Sequence, residues 1–81
     1  MEKSIVTRDE MRRLLLDAIH ERGMTEVTDV TIRVLVHVPP MFPNWEVPHF
    51  EAPAENLAEA EAIVWEACRV LQGKFDVSTA A

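Results

Sequence analysis

Apolar positions along the chain change their period twice, and each change marks an element. In the first stretch Met11, Leu14, Leu15, Ala18 and Ile19 recur at helical spacing between charged neighbours. Thr7 stands three residues before Glu10, the pattern of a capping box. Val6 and Met11 occupy the N′ and N4 positions of a hydrophobic staple. The spacing therefore predicts a helix that starts at Arg8 and ends at Arg22, with Gly23 at the C′ position, where a left-handed residue stops a helix. Leu16 falls off the stripe, so either the apolar face is wide or Leu16 meets a partner.

Over residues 30–38 the period drops to two. Val30, Ile32, Val34, Val36 and Val38 alternate with Thr31, Arg33, Leu35 and His37, which predicts a strand with one wholly β-branched face. Pro39 and Pro40 end it, and Met41, Phe42, Pro43 and Asn44 form a rigid connection. Trp45 to Phe50 alternate weakly and return antiparallel to the first strand. Pro48 has no N–H for a ladder, so the second strand is an edge or stops before Pro48. Pro53 fits the first position of another helix, with Asn56 and Glu59 as an alternative cap. That helix runs to about Gln72 with Gly73 as its stop. Its predicted buried face is Leu57, Ala60, Ile63, Val64, Ala67, Val70 and Leu71. Phe75 and Val77 suggest a short terminal strand or a docked tail.

These elements predict an α+β fold in helix, strand, strand, helix order, with two helices packed on one face of a small antiparallel sheet. A chain of 81 residues has no room for two independent cores, so residues 1–81 are read as one domain. A domain this small buries only about 60% of the surface of its unfolded chain, and a lone hairpin leaves strand 30–38 with an unpaired edge. Either the tail around Phe75 to Val77 or the same strand of a second copy should cover that edge. The second copy is preferred, which makes the expected state a homodimer.

Charge narrows the class of partner. Eight basic side chains stand against fourteen acidic ones, for a net charge of −6. Residues 1–22 are balanced, with Lys3, Arg8, Arg12, Arg13 and Arg22 against Glu2, Asp9, Glu10, Asp17 and Glu21. The rest of the chain carries only Arg33, Arg69 and Lys74 against nine acids. Nucleic-acid affinity rests on cations that neutralise phosphates, so no nucleic-acid partner is expected. Arg8, Arg12 and Arg13 share a helical surface with Asp9 and Glu10, which reads as a self-paired, solvated face. The apolar runs are too short for a membrane span, and the chain turns charged at Thr7 to Glu10 where a signal peptide would need its apolar stretch. Cys68 is the single cysteine, so no disulfide forms within the chain and a reducing cytoplasm is the expected compartment.

Catalytic chemistry finds little support. His20, His37 and His49 fall on three different elements without ligand-pair spacing, so no metal is expected. Cys68 lies beside the apolar stripe of a glutamate-rich helix, the setting of a small buried hydrophobe and not of an activated nucleophile. There is no glycine-rich phosphate loop and no nucleophile-base arrangement, so neither a catalytic residue nor a cofactor is assigned. The segment Pro39 to Pro53 is the unusual one: it holds all five prolines together with Phe42, Trp45 and Phe50. On the plainer reading those aromatics close the end of a small core. On the other they form a rigid recognition loop, with Phe42, Asn44, Trp45 and Phe50 as its surface. Trp65 stands beside Ala58, Ala62 and Arg69, off the centre of the buried stripe. A flat alanine strip next to a tryptophan reads as a contact surface for the first helix or for another chain.

The Pro43, Asn44, Trp45 triplet after an apolar strand, followed by an amphipathic helix and the Phe75, Asp76, Val77 ending, resembles a group of small bacterial proteins. In these an Asn-Trp pair precedes a helix that ends in a Phe-x-Val tail. The resemblance spans residues 30–78, implies a bacterial cytoplasmic source and carries no activity. The sequence thus supports a small interaction or binding protein that works as a homodimer, with a protein partner in prospect. One alternative is a small enzyme or ligand-binding subunit with Arg33, His37 and His49 converging on a dimer cleft. The other is an acidic inhibitor or antitoxin-like partner of a basic protein.

Overall fold

A computed structural model describes residues 3–39 and 42–78. Pro40 and Met41, expected in the connection after the first strand, lie outside the described residues. The chain is α+β. Its elements run β1 (Ser4–Val6), α1 (Arg8–Glu21), β2 (Asp29–Val34), β3 (Trp45–Glu51), a 3-10 turn (Ala54–Asn56), α2 (Leu57–Gln72) and β4 (Phe75–Val77).

The first helix forms as its sequence dictates. The Glu10 amide donates to Thr7 Oγ1 at 3.1 Å and the Thr7 amide donates back to Glu10 Oε1 at 3.3 Å, so both members of the capping box are made. Met11, Leu15 and Ile19 are fully buried, and Leu14, Leu16 and Ala18 pack partly against the same core. Leu16 therefore widens the apolar face. Arg22 caps the end and Gly23 follows at a φ of 91°, a left-handed value that a side chain would strain.

Two strands frame the expected order of helix, strand, strand, helix. β1 precedes α1 and pairs in parallel with β4, in the register Ser4 to Phe75, Ile5 to Asp76 and Val6 to Val77. Ser4 N donates to Lys74 O at 3.1 Å, and Ser78 N donates to Val6 O at 2.7 Å. The tail is thus a strand, and its strand partner is β1, not β2. β1 escapes the sequence pattern because three residues show no periodicity and their partner lies at the far end of the chain.

The first central strand is shorter than its alternation suggests. β2 stops at Val34 instead of Val38, and beyond it the Leu35 amide, bonded to Asn44 O at 2.7 Å, extends the ladder. His37 then takes a φ of 61° and Val36 is 69% exposed. A non-glycine residue in the left-handed region cannot continue an extended strand. β3 runs antiparallel to β2 and continues through Pro48 to Glu51. The register passes from Thr31 opposite His49 to Arg33 opposite Glu46, which inserts one extra residue on β3. That bulge accommodates Pro48 without breaking the strand.

The inner face of this hairpin is Val30, Ile32, Trp45 and Val47, all buried with Met11, Leu15 and Ile19 of α1 and Ala60, Val64, Ala67, Cys68 and Leu71 of α2. The outer face, with Thr31, Arg33, Pro48 and His49, is exposed. α2 starts at Leu57 with Asn56 at the cap position, but the Asn56 side chain makes no capping bond. The 3-10 turn after Pro53 leads in instead, its Asn56 amide bonded to Pro53 O at 2.9 Å. Leu57 and Val70, expected in the buried face of this helix, are exposed, and Cys68 takes a core place.

Candidate functional site

Two regions hold most of the residues singled out by sequence, and they differ in kind. The first is the corner where β3 begins. Trp45 is 0% exposed. Its indole Nε1–H donates to Phe75 O at 3.0 Å, and its own carbonyl accepts from Gln72 Nε2 at 2.9 Å. A buried indole needs such a partner for its N–H, and β4 supplies it. The neighbouring Asn44 uses its whole amide on one residue: Nδ2 donates to Val77 O at 2.7 Å, and Oδ1 accepts from Val77 N at 2.9 Å. The Asn44 side chain thus takes the role of a strand residue along the edge of β4. Both members of the Asn-Trp pair are spent inside the molecule, and Trp45 offers no surface to a partner. Phe50 packs partly against the core, and of the three aromatics of this segment Phe42 is the exposed one.

The second region is the surface of α2. Leu57, Glu61, Trp65 and Cys68 follow one another at intervals of four, four and three residues, so they run along one line of the helix. Opposite them stand Val47, Pro48, His49 and Phe50 of β3, and between the two elements lies a half-open groove of about 340 Å³. Leu57 is 46% exposed and Trp65 53%, so the apolar rim is open to solvent while Val47, Val64 and Cys68 form the floor. On the other side of Trp65, a shallower depression is lined by Ala62, Glu66, Arg69 and Val70. Trp65 is the ridge between the two.

The groove has one charged wall. Glu61 forms no ion pair among the described residues, and neither lysine nor arginine lines the cavity. Burial, with the charge of Glu46 adding to it, pushes the Cys68 thiol up to about 11. At neutral pH Cys68 is therefore a protonated thiol in the floor and not a nucleophile. It is free and buried.

Arg33, His37 and His49 do not share this groove. His49 lines it; Arg33 lies on the outer face of the hairpin, ion-paired with Glu46; and His37 sits exposed in the turn after β2. His20 donates from Nε2 to Val27 O at 2.7 Å and ties down the loop after α1. Among the described residues no group of three His, Cys, Asp or Glu side chains gathers as a metal site requires. The arginines of α1 and its C-cap are partly used in local contacts: Arg12 pairs with Asp29 at 2.6 Å, and Arg22 donates to Ala18 O at 3.1 Å.

Trp65, singled out from the sequence, lines the groove together with Leu57, Glu61 and Pro48, which were not. The signal was there: a second helical line through 57, 61, 65 and 68 runs beside the buried stripe. It was masked because Leu57 fits either line. Among the described residues no helix is long and apolar enough to cross a membrane. No family model matches the chain, and neither a curated protein nor a solved structure matches it.

Proposed function

We propose that the chain is a small interaction protein that works as a homodimer, self-associating through the exposed surface of α2. The observation that carries this reading is Trp65, half out of the molecule beside the exposed Ala58 and Ala62. α1 packs elsewhere and leaves the strip open, so a second chain remains as its partner. Large exposed aromatics next to small residues are what helix-helix contacts use, because the small side chains let backbones approach.

Charge complementarity favours a second copy of the same chain. Glu55 and Glu59 stand toward the N-terminal end of α2 and Arg69 toward its C-terminal end. Two copies of α2 crossing antiparallel about a two-fold axis set Trp65 over the partner's Ala62. The same crossing brings Arg69 to the end of the partner's helix that carries Glu55 and Glu59. Such an interface is self-complementary, as a two-fold contact must be. The edge of β2 is a poorer seat for a second chain: Arg8, Asp9 and Arg12 of α1 stand alongside Val30, Thr31 and Ile32 there. A reducing cytoplasm suits a lone buried thiol.

Sedimentation velocity and light scattering test the reading. The expected mass is near twice 9.2 kDa, falling to the single-chain value for Ala62→Arg. Arg69→Glu should weaken association, and combining it with Glu59→Arg should restore it. A wild-type chain that stays monomeric at every concentration sinks the proposal.

A further inference from the structure

The groove between β3 and α2 is lined within one chain and shares only Trp65 with the proposed self-association surface. Its volume of about 340 Å³ lies at the lower end of the roughly 300–1,000 Å³ typical of small-molecule sites. Its shape and chemistry are both specific. Val47, Val64 and Phe50 give an apolar floor, and the Pro48 ring stiffens one wall. The opposite wall presents two groups suited to a positive charge, the exposed Trp65 ring and the Glu61 carboxylate, one helical turn apart. A cation over an indole is attracted by the ring's negative face, and a carboxylate close by adds to the attraction.

We infer that this groove binds a small organic cation: an apolar body seated on Val47, Phe50 and Val64, with its ammonium group held between Trp65 and Glu61. The charge balance of the lining selects this class over its neighbours. An anion would lose its hydration and meet Glu61 with neither lysine nor arginine in the lining to compensate. A neutral body would be accepted by the floor but would leave Glu61 unused. The floor itself stays uncharged, since burial keeps the Cys68 thiol protonated. His49, on the β3 side, lies at the rim.

Three ligands with one body and three charges test the inference: phenylbutylamine, phenylbutanol and phenylbutyrate, titrated into uniformly nitrogen-15 labelled protein. The protein carries its own control, because the indole N–H of Trp65 borders the groove while that of Trp45 is buried and bonded to Phe75 O. The amine should move the Trp65 indole signal and the amides of residues 57–68, leave the Trp45 indole in place, and bind about tenfold more tightly than the carboxylate. Glu61 is exposed, so Glu61→Gln should keep the spectrum of the folded protein while the preference shrinks to about twofold. Equal binding of amine and carboxylate overturns the inference, as does a preference that survives Glu61→Gln. An amphipathic lysine-bearing peptide that shifts the groove signals when phenylbutylamine does not would also overturn it, in favour of a protein partner. Ala62→Arg, which lies off the groove, separates the two readings: loss of the dimer with amine binding intact leaves this inference standing alone.

Discussion

Trp45 and Trp65 are the same side chain in opposite circumstances. Trp45 is closed in by α1, α2 and β4, with its N–H on a backbone carbonyl and its own carbonyl on Gln72. Trp65 stands half in solvent between two depressions, with an apolar groove on one side and an alanine strip on the other. What separates them is the supply of polar partners. An indole can enter a core only where something accepts its proton. The corner at Asn44 has β4 to do so, and the middle of a helix surface has nothing equivalent. One tryptophan is therefore spent on the fold, and the other keeps about half of its surface in solvent.

The sharpest way to break this contrast is to truncate each in turn. Trp45→Ala removes a fully buried ring and leaves Phe75 O without its donor, a loss of about 3–5 kcal/mol. In so small a domain that is a large part of the total stability. Circular dichroism should show a broad, non-cooperative melt or none. Trp65→Ala, followed at high dilution, should change stability by no more than about 0.5 kcal/mol. Comparable destabilisation by the two would mean that Trp65 is also a structural residue.

Asn44→Ala comes next in size. It removes two hydrogen bonds and leaves the N–H and C=O of Val77 unpaired in a partly buried place, which should cost about 2–3 kcal/mol in urea denaturation. Asn44→Asp keeps the acceptor but sets a carboxylate oxygen against Val77 O, and it should recover little. An unchanged midpoint for Asn44→Ala would show that β4 is held by its pairing with β1 alone.

The last effect belongs to the groove side and shows only in alkali. Cys68 is an acid whose folded value, about 11, lies above the ordinary 9.0. The unfolded chain therefore gives up the thiol proton first as the solution becomes alkaline. The contribution to stability is full below about pH 9 and is lost as pH rises from 9 toward 11. Cys68→Ala should flatten that alkaline slope and leave the neutral range unaffected by thiol titration. Identical slopes in the two proteins would contradict the buried, neutral thiol.

These contrasts also explain which parts of the molecule could be read from its sequence. The first helix was legible to its ends, because Thr7, Glu10, Met11 and Gly23 act on neighbours within a turn or two. The α+β class and the antiparallel hairpin were legible from the switch of period. The end of β2 was not: Val36 and Val38 continue the alternation, yet the strand ends at Val34 and the chain bends away through Val36 and a left-handed His37. The fate of the Asn-Trp pair was hidden for a related reason. Its partners Gln72, Phe75 and Val77 are remote in sequence, and no local pattern tells a tryptophan where its acceptor will come from. Of the candidate surface, Trp65 was legible because it breaks the apolar stripe of its helix. Leu57 was not, because it fits both the buried line and the exposed one.

The clamp that Asn44 and Trp45 place on the last strand also sets a schedule for how the protein is made. A chain leaving the ribosome exposes the indole of Trp45 and the amide of Asn44 long before Phe75 and Val77 are synthesised, and β1 waits just as long for β4. The helices and the hairpin can form early, but they cannot close. Folding is completed only when residues 75–77 are present, so chains truncated before Phe75 should lack the cooperative melt of the longer one.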